Sequence, residues 1–187
     1  MRFFNNNKKY GLVAILLHWL SFILVAYILY LGTIMVDMPL SPEKFSNYSL
    51  HKSLGITILV ITLVRLCWKL INKTPKLPLF MDSKQKLIAN IMHYIFYVML
   101  VGLPLLGWAM SSAAGFSVVV FGQIKLPALT SPDPELLELF KLLHEFGAYI
   151  FFGLIILHIL AAFIHQFYYR DNLLGRMLGK GQLYGNN

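Results

Sequence analysis

Residues 141–158 read Lys141-Leu-Leu-His144-Glu-Phe-Gly-Ala-Tyr-Ile-Phe-Phe-Gly-Leu-Ile-Ile-Leu-His158, a long apolar run with a histidine near each end. On a helix these two histidines lie roughly 21 Å apart along the axis and within about 40° of the same face. An ionisable side chain in a membrane-length helix is unfavourable unless it faces the bundle interior and has a partner. We therefore predict two stacked sites along this helix, one near each membrane surface, with partners from other helices.

The composition is that of a membrane protein. The chain has 187 residues, of which 58% are hydrophobic and 13% are charged, whereas soluble domains have about 25% charged residues. The net charge of +8 lies between apolar blocks, so nucleic acid is not predicted as a partner. The single cysteine, Cys67, excludes an intrachain disulfide, and without a Cys-x-x-Cys-His motif a covalently attached c-type haem is not indicated.

Four apolar segments are long enough to cross a hydrocarbon core of about 30 Å. The predicted spans are about 12–35, 50–71, 87–112 and 142–168, which predicts one all-α, integral membrane four-helix bundle over residues 1–187. The first run is too long for a signal peptide and has no Ala-x-Ala-like cleavage site after it.

The segments between these spans are predicted as loops. Residues 36–50 are predicted as a loop in which Ser41-Pro42 could start a short surface helix, and 113–133 as a second loop. Pro104 predicts a kink in the third span. The second span ends in four basic residues that are expected to extend their charges towards the membrane surface: Arg65, Lys69, Lys73 and Lys76.

The basic residues are distributed unequally between the two ends of the spans. Twelve of them lie at the N-terminus, in the loop between spans two and three, or in the tail, with two acidic residues; the opposite side has four basic and six acidic residues. The positive-inside rule then predicts that both termini are cytoplasmic.

Depth in the membrane sorts the histidines into pairs. His51 and His144 begin the outward-facing ends of their spans, and His18 and His158 lie at similar depths, roughly 15 Å from the inner surface. Two neutral imidazoles on opposite sides of an iron are the ligands of a six-coordinate haem b, and bundle cores hold such sites. The pairs His51/His144 and His18/His158 therefore predict two non-covalent haems b used for electron transfer.

Two further histidines, His93 and His165, remain outside these pairs. Either could replace His18 or His158 in the inner site, and either could contact a quinone headgroup. The simpler interpretation, which we favour, is an interfacial side chain hydrogen-bonded to water or lipid.

Several short motifs occur in a characteristic order over residues 8–178. They are Leu17-His18-Trp19, His51-Lys52-Ser53-Leu54-Gly55, Leu103-Pro104-Leu105-Leu106-Gly107-Trp108, His144-Glu145, Leu157-His158-Ile-Leu-Ala-Ala and Arg170-Asp171-Asn-Leu-Leu-Gly-Arg176-Met177. In this order and spacing they resemble the bacterial cytochrome b561 family, which includes membrane-bound superoxide oxidase. The family often has two successive histidines late in the last helix, where this chain has His165-Gln166.

The resemblance implies a multi-pass di-haem b protein of the bacterial inner membrane that exchanges electrons with ubiquinone. It implies the ligands His18, His51, His144 and His158, and superoxide as the electron donor on the periplasmic side. Lys52 and Lys141 flank the two outer histidines and are candidates for a positively charged approach for the superoxide anion.

Two alternative functions remain open. The chain could be a b-type cytochrome subunit that anchors a partner enzyme such as a hydrogenase and carries its electrons, although short loops argue mildly against this. It could also be a metal transporter with histidine ligands, but that function predicts acidic residues deep within the spans, and the only one inside a predicted span is Glu145, three residues from the start of the fourth.

Overall fold

The computed structural model describes residues 3–7, 9–75 and 81–179. Four long helices dominate it: α1 (Leu12–Asp37), α2 (Pro42–Ile71), α3 (Ser83–Ala113) and α4 (Pro134–Ile164). By length and apolar composition, each can cross a membrane. The predicted four-helix membrane bundle is therefore confirmed. The orientation of the termini remains a prediction, and four of the basic residues behind it (Arg2, Lys8, Lys76 and Lys180) lie outside the described residues.

The helices begin where the sequence supplies capping groups. Ser41 accepts a hydrogen bond from the Lys44 amide, and Asp133 accepts hydrogen bonds from the second and third residues of α4. Because no helix breaker follows Pro42, α2 runs without interruption from residue 42 into the membrane span. The helix start predicted at Ser41-Pro42 is confirmed, but the prediction of a loop with a short surface helix is wrong beyond residue 41, because this helix is continuous with the second span.

The outer loop between α3 and α4 is more ordered than the sequence indicated. It contains an antiparallel hairpin of β1 (Val119–Val120) and β2 (Ile124–Lys125), which packs on α2. The Phe121 amide donates a hydrogen bond to Ser53 Oγ at 2.9 Å, and the Leu129 amide donates one to Ser112 Oγ at 3.1 Å. These bonds hold the loop over the outer end of the bundle.

The opposite end of the bundle is closed by the C-terminal segment. After α4, a five-residue π-helical turn, His165–Tyr169, leads to the short helix α5 (Leu173–Met177). The Trp19 indole of α1 donates a hydrogen bond to the Met177 carbonyl at 2.8 Å, so α5 folds back against α1. The closest helix packing is between α3 and α4, α1 and α2, and α2 and α3.

Candidate functional site

The interior of the bundle is built in three layers, and each long helix contributes one residue to each layer at intervals of seven residues. Seven residues turn an α-helix through almost two full turns, so members of a seven-residue series stay on one face. The outer layer is Gly32, His51, Gly107 and His144; the middle layer is Val25, Ile58, Leu100 and Phe151; and the inner layer is His18, Arg65, His93 and His158.

The middle layer is the buried apolar core of the bundle. Its four side chains are each less than a tenth exposed and contact further apolar residues of α1, α3 and α4. Because seven residues of helix rise roughly 10 Å, this layer separates the outer and inner histidines by about 21 Å. The two sites are therefore separated by a layer without polar groups.

In the outer layer, His51 and His144 face each other with ring centres 6.1 Å apart. Each ring lies against a glycine of a neighbouring helix. A Cβ atom added to Gly107 would lie 3.1 Å from His144 Cε1, and one added to Gly32 would lie 3.3 Å from His51 Cε1. Because both distances are shorter than an ordinary carbon–carbon contact, a Cβ at either position would displace the ring by a few tenths of an ångström, whereas glycine leaves it in place.

The glycines also expose backbone carbonyls to the rings. His144 Nδ1 lies 3.0 Å from the carbonyl oxygen of Leu103, four residues before Gly107. A carbonyl only accepts, so Nδ1 carries the hydrogen and Nε2 keeps a lone pair, which is the arrangement of most metal-binding histidines. On α1 the equivalent carbonyl, that of Ile28, lies near His51, whose buried Nδ1 has no hydrogen bond among the described residues.

In the inner layer, His18 and His158 face each other with ring centres 6.5 Å apart. His93 lies 5.8 Å from His158 but is exposed, whereas His18 and His158 are half-buried. Arg65 also enters this layer, with Nη2 3.4 Å from His18 Nδ1. The expectation that Arg65 extends to the membrane surface is therefore wrong, because its guanidinium points into the bundle.

Both histidine pairs have the spacing of two axial ligands. A bond from a metal to an imidazole nitrogen is about 2.0–2.1 Å long and the ring centre lies about 1.1 Å behind that nitrogen, so two rings on opposite sides of one metal have centres about 6.3 Å apart. The observed separations of 6.1 and 6.5 Å fit this arrangement. The described residues contain no cluster of three or more His, Cys, Asp or Glu suited to a bare metal ion.

The remaining candidate residues lie in different environments. Lys52 Nζ donates a hydrogen bond to Ser111 Oγ at 2.8 Å and lies 5.6 Å from the centre of the Phe116 ring, under the outer loop. Lys141 is exposed, with Nζ 3.9 Å from a Glu138 carboxylate oxygen.

His165 lies near the inner end of the bundle, where Nδ1 is 2.5 Å from Oδ2 of the buried Asp171. His165 Nδ1 therefore has a partner within the protein, and the interpretation of His165 as an interfacial side chain bonded to water or lipid remains a prediction.

Three residues of the site were missed by the sequence analysis in this role: Gly32, Gly107 and Arg65. Each lies at a seven-residue interval from a histidine or from a middle-layer residue on its own helix, as in His18–Val25–Gly32 and His51–Ile58–Arg65. This periodicity was a signal that could have found them, because residues seven apart share a helix face.

The chain is similar to known proteins over nearly its whole length. A family model described as prokaryotic cytochrome b561 matches residues 9–180. "Cytochrome b561 homolog 2" of Escherichia coli K12 is 31% identical over 182 residues, covering 96% of each chain. "Probable superoxide oxidase CybB" of Yersinia pestis is 30% identical over 176 residues, covering 93% of this chain and 98% of that protein. "Cytochrome b561 homolog 1" of Escherichia coli K12 is 32% identical over 175 residues, covering 91% and 97%.

Proposed function

The chain belongs to the prokaryotic cytochrome b561 family, and on this premise we propose that it is a di-haem oxidoreductase that passes electrons from superoxide to ubiquinone. Membership makes it a multi-pass membrane b-type cytochrome with an electron-transfer role. The main support for a di-haem function is the presence of two imidazole pairs, with 6.1 and 6.5 Å between their ring centres, on opposite sides of an apolar layer.

In this proposal His51 and His144 hold the outer haem b, and His18 and His158 hold the inner one. A haem with two imidazole ligands has no open coordination position, so it supplies one-electron transfer rather than oxygen activation. The Leu103 carbonyl fixes the His144 ring, and Gly32 and Gly107 leave space for the outer rings. The middle layer excludes water between the sites, and Phe151, Phe96 and His158 form a continuous aromatic series from that layer to the inner site.

The outer site would take superoxide. Two superoxide anions each lose one electron and leave as dioxygen, while one quinone gains those two electrons and two protons and leaves as quinol. An anion is attracted by fixed positive charge, and Lys52 supplies it one residue after His51. Lys141, one helical turn before His144, contributes less because Glu138 lies beside it. The family relative named as a superoxide oxidase supports this donor.

The inner site would exchange electrons with ubiquinone on the side that we predict to be cytoplasmic. His93 and His165 are the candidate quinone contacts. His93 supports this role better, because it is exposed and its ring centre lies 5.8 Å from that of His158. His93 Nδ1 is bonded to the Ala89 carbonyl at 2.6 Å, so Nε2 is the nitrogen that would accept a hydrogen bond from a quinol hydroxyl.

The test is to mix oxidised protein with pulse-generated superoxide and follow haem absorbance, first without and then with a soluble ubiquinone analogue. We expect rapid haem reduction that slows as salt is raised, because screening weakens the attraction of an anion. Added quinone should then reoxidise the haem. Slow reduction that is indifferent to salt would contradict the superoxide assignment, and co-purification of a large soluble subunit would favour the anchoring function instead.

A further inference from the structure

The short helix α5 buries an arginine, two of whose guanidinium nitrogens have no hydrogen-bonding partner among the described residues. Arg176 is 3% exposed, and its Nε and Nη2 atoms have no hydrogen bond within the described part of the chain. Its guanidinium lies 5.6 Å from the centre of the Tyr10 ring. A buried charged group in this condition is unfavourable unless something supplies the missing acceptors.

The nearby carboxylate does not supply them. Asp171 is 1% exposed, but its Oδ2 is bonded to His165 and its Oδ1 accepts a hydrogen bond from the Leu173 amide at 3.2 Å. In the described residues, no carboxylate oxygen lies within 4 Å of Arg176. Arg170 and Asn172 have positive φ angles of 53° and 57°, so the backbone adopts an uncommon conformation on both sides of Asp171. The turn is therefore built around the Asp171–His165 pair, and the Arg176 guanidinium remains available to donate hydrogen bonds to another group.

A second guanidinium approaches the same region from α2. Arg65 lies 3.4 Å from His18 Nδ1 and 5.8 Å from the centre of the Tyr97 ring. Burial raises the pKa of the Tyr10 phenol, Arg176 lowers it and nearby Tyr97 raises it, so Tyr97 and Tyr10 are neighbours between the two arginines. Lys69 adds a third cation 5.1 Å from the Tyr97 ring. The inner end of the bundle thus contains three neighbouring cations.

The contact of Arg65 with His18 also indicates a missing group. Guanidinium nitrogens only donate hydrogen bonds, so at this contact His18 Nδ1 must accept. A His18 that binds metal through Nε2 carries its hydrogen on Nδ1, and the two donors would then oppose each other. An oxyanion beside Arg65 removes this conflict by accepting from the guanidinium.

We propose that Arg65 and Arg176 bind the propionate carboxylates of the inner haem, an inference that rests on the proposed function. Haem b carries two carboxylates, which cannot stay unpaired in hydrocarbon and must reach cations or the membrane surface. A phospholipid phosphate is the other oxyanion available at this depth. The enclosed position of Arg176 and the place of Arg65 in the inner histidine layer favour the cofactor, because a lipid headgroup stays at the bundle surface.

The test measures the midpoint potentials of both haems in Arg176→Gln and Arg65→Gln, with Lys73→Gln as a control that removes an exposed charge at the same end. Loss of a cation beside the inner haem favours the more positive ferric form. We expect the inner potential to fall by about 59 mV, which is a tenfold change in a one-electron equilibrium, while the outer potential is unchanged. The conservative Arg176→Lys should recover part of the shift.

Each measurement is made in a phosphate-free maltoside detergent and again in phospholipid nanodiscs. The same fall in both media supports the propionate assignment. A fall seen only in nanodiscs would assign Arg176 to lipid phosphate and overturn the proposal, as would unchanged potentials in both arginine variants. If the purified protein contains no haem, the proposed function itself is refuted, which is an outcome distinct from unchanged potentials.

Discussion

Gly107→Ala tests whether the His144 ring needs the space that a glycine leaves on the surface of α3. The new Cβ would lie 3.1 Å from Cε1 and 3.4 Å from Nδ1 of His144. Carbon atoms pack at about 3.5–4.0 Å, so the ring must move back by a few tenths of an ångström. That movement also lengthens the 3.0 Å hydrogen bond from His144 to the Leu103 carbonyl.

The displacement should weaken the outer haem without unfolding the helix. When a metal-binding side chain loses the hydrogen bond that orients it, the affinity for the metal typically falls by about 10- to 100-fold. Alanine is favoured over glycine inside a helix by up to about 1 kcal/mol, so α3 itself should be no less stable. We therefore expect purified Gly107→Ala to hold close to one haem per chain, and Gly32→Ala, whose Cβ would lie 3.3 Å from His51 Cε1, to show a smaller loss.

The assay is the pyridine haemochrome measurement of haem per chain, combined with a redox titration that identifies the haem lost. Gly102→Ala in the same helix is the matched control, because a Cβ there meets no atom within 4 Å among those described. Gly102→Ala should keep both haems. Full haem content and an unchanged outer potential in Gly107→Ala would refute the reasoning, as would equal losses in the two variants.

Two further predictions concern the orientation of the chain in the membrane and the lysines near the outer site. A reporter that is active only outside the cytoplasm should be inactive after Asn187 and active when inserted near Ser131; the reverse pattern would exchange the outer and inner assignments. Lys52→Gln with Lys141→Gln should slow haem reduction by superoxide severalfold at low salt with haem content unchanged, whereas Lys84→Gln at the opposite end should have no effect. An unchanged rate in the double variant would exclude these lysines from the approach.

The sequence was sufficient to predict the four long helices and the depth of the paired histidines along them. Hydrophobic run length determines how many segments can cross a bilayer, and helix rise converts residue number into depth. For this reason the sequence pairs His18 with His158 and His51 with His144, and in the structure the rings of these pairs face each other at 6.5 and 6.1 Å. The role of these residues as haem ligands remains a prediction.

The features that sequence reasoning missed depend on contacts between helices. Gly107 matters only because His144 of another helix lies against it, and a glycine in an apolar run has no local signal for that contact. Arg65 resembles other basic residues at a helix end, yet its guanidinium turns inward to His18. The outer loop is held by Ser53 of α2 and Ser112 of α3 in addition to the pairing of its own two short strands.

The most direct test of the account is haem stoichiometry in six histidine-to-alanine variants. The unmodified protein should hold two haems b per chain. His51→Ala and His144→Ala should lose the same redox component, His18→Ala and His158→Ala should lose the other, and His93→Ala and His165→Ala should keep both. One haem per chain in the unmodified protein, or two haems in any of the first four variants, would contradict the assignment of the two histidine pairs.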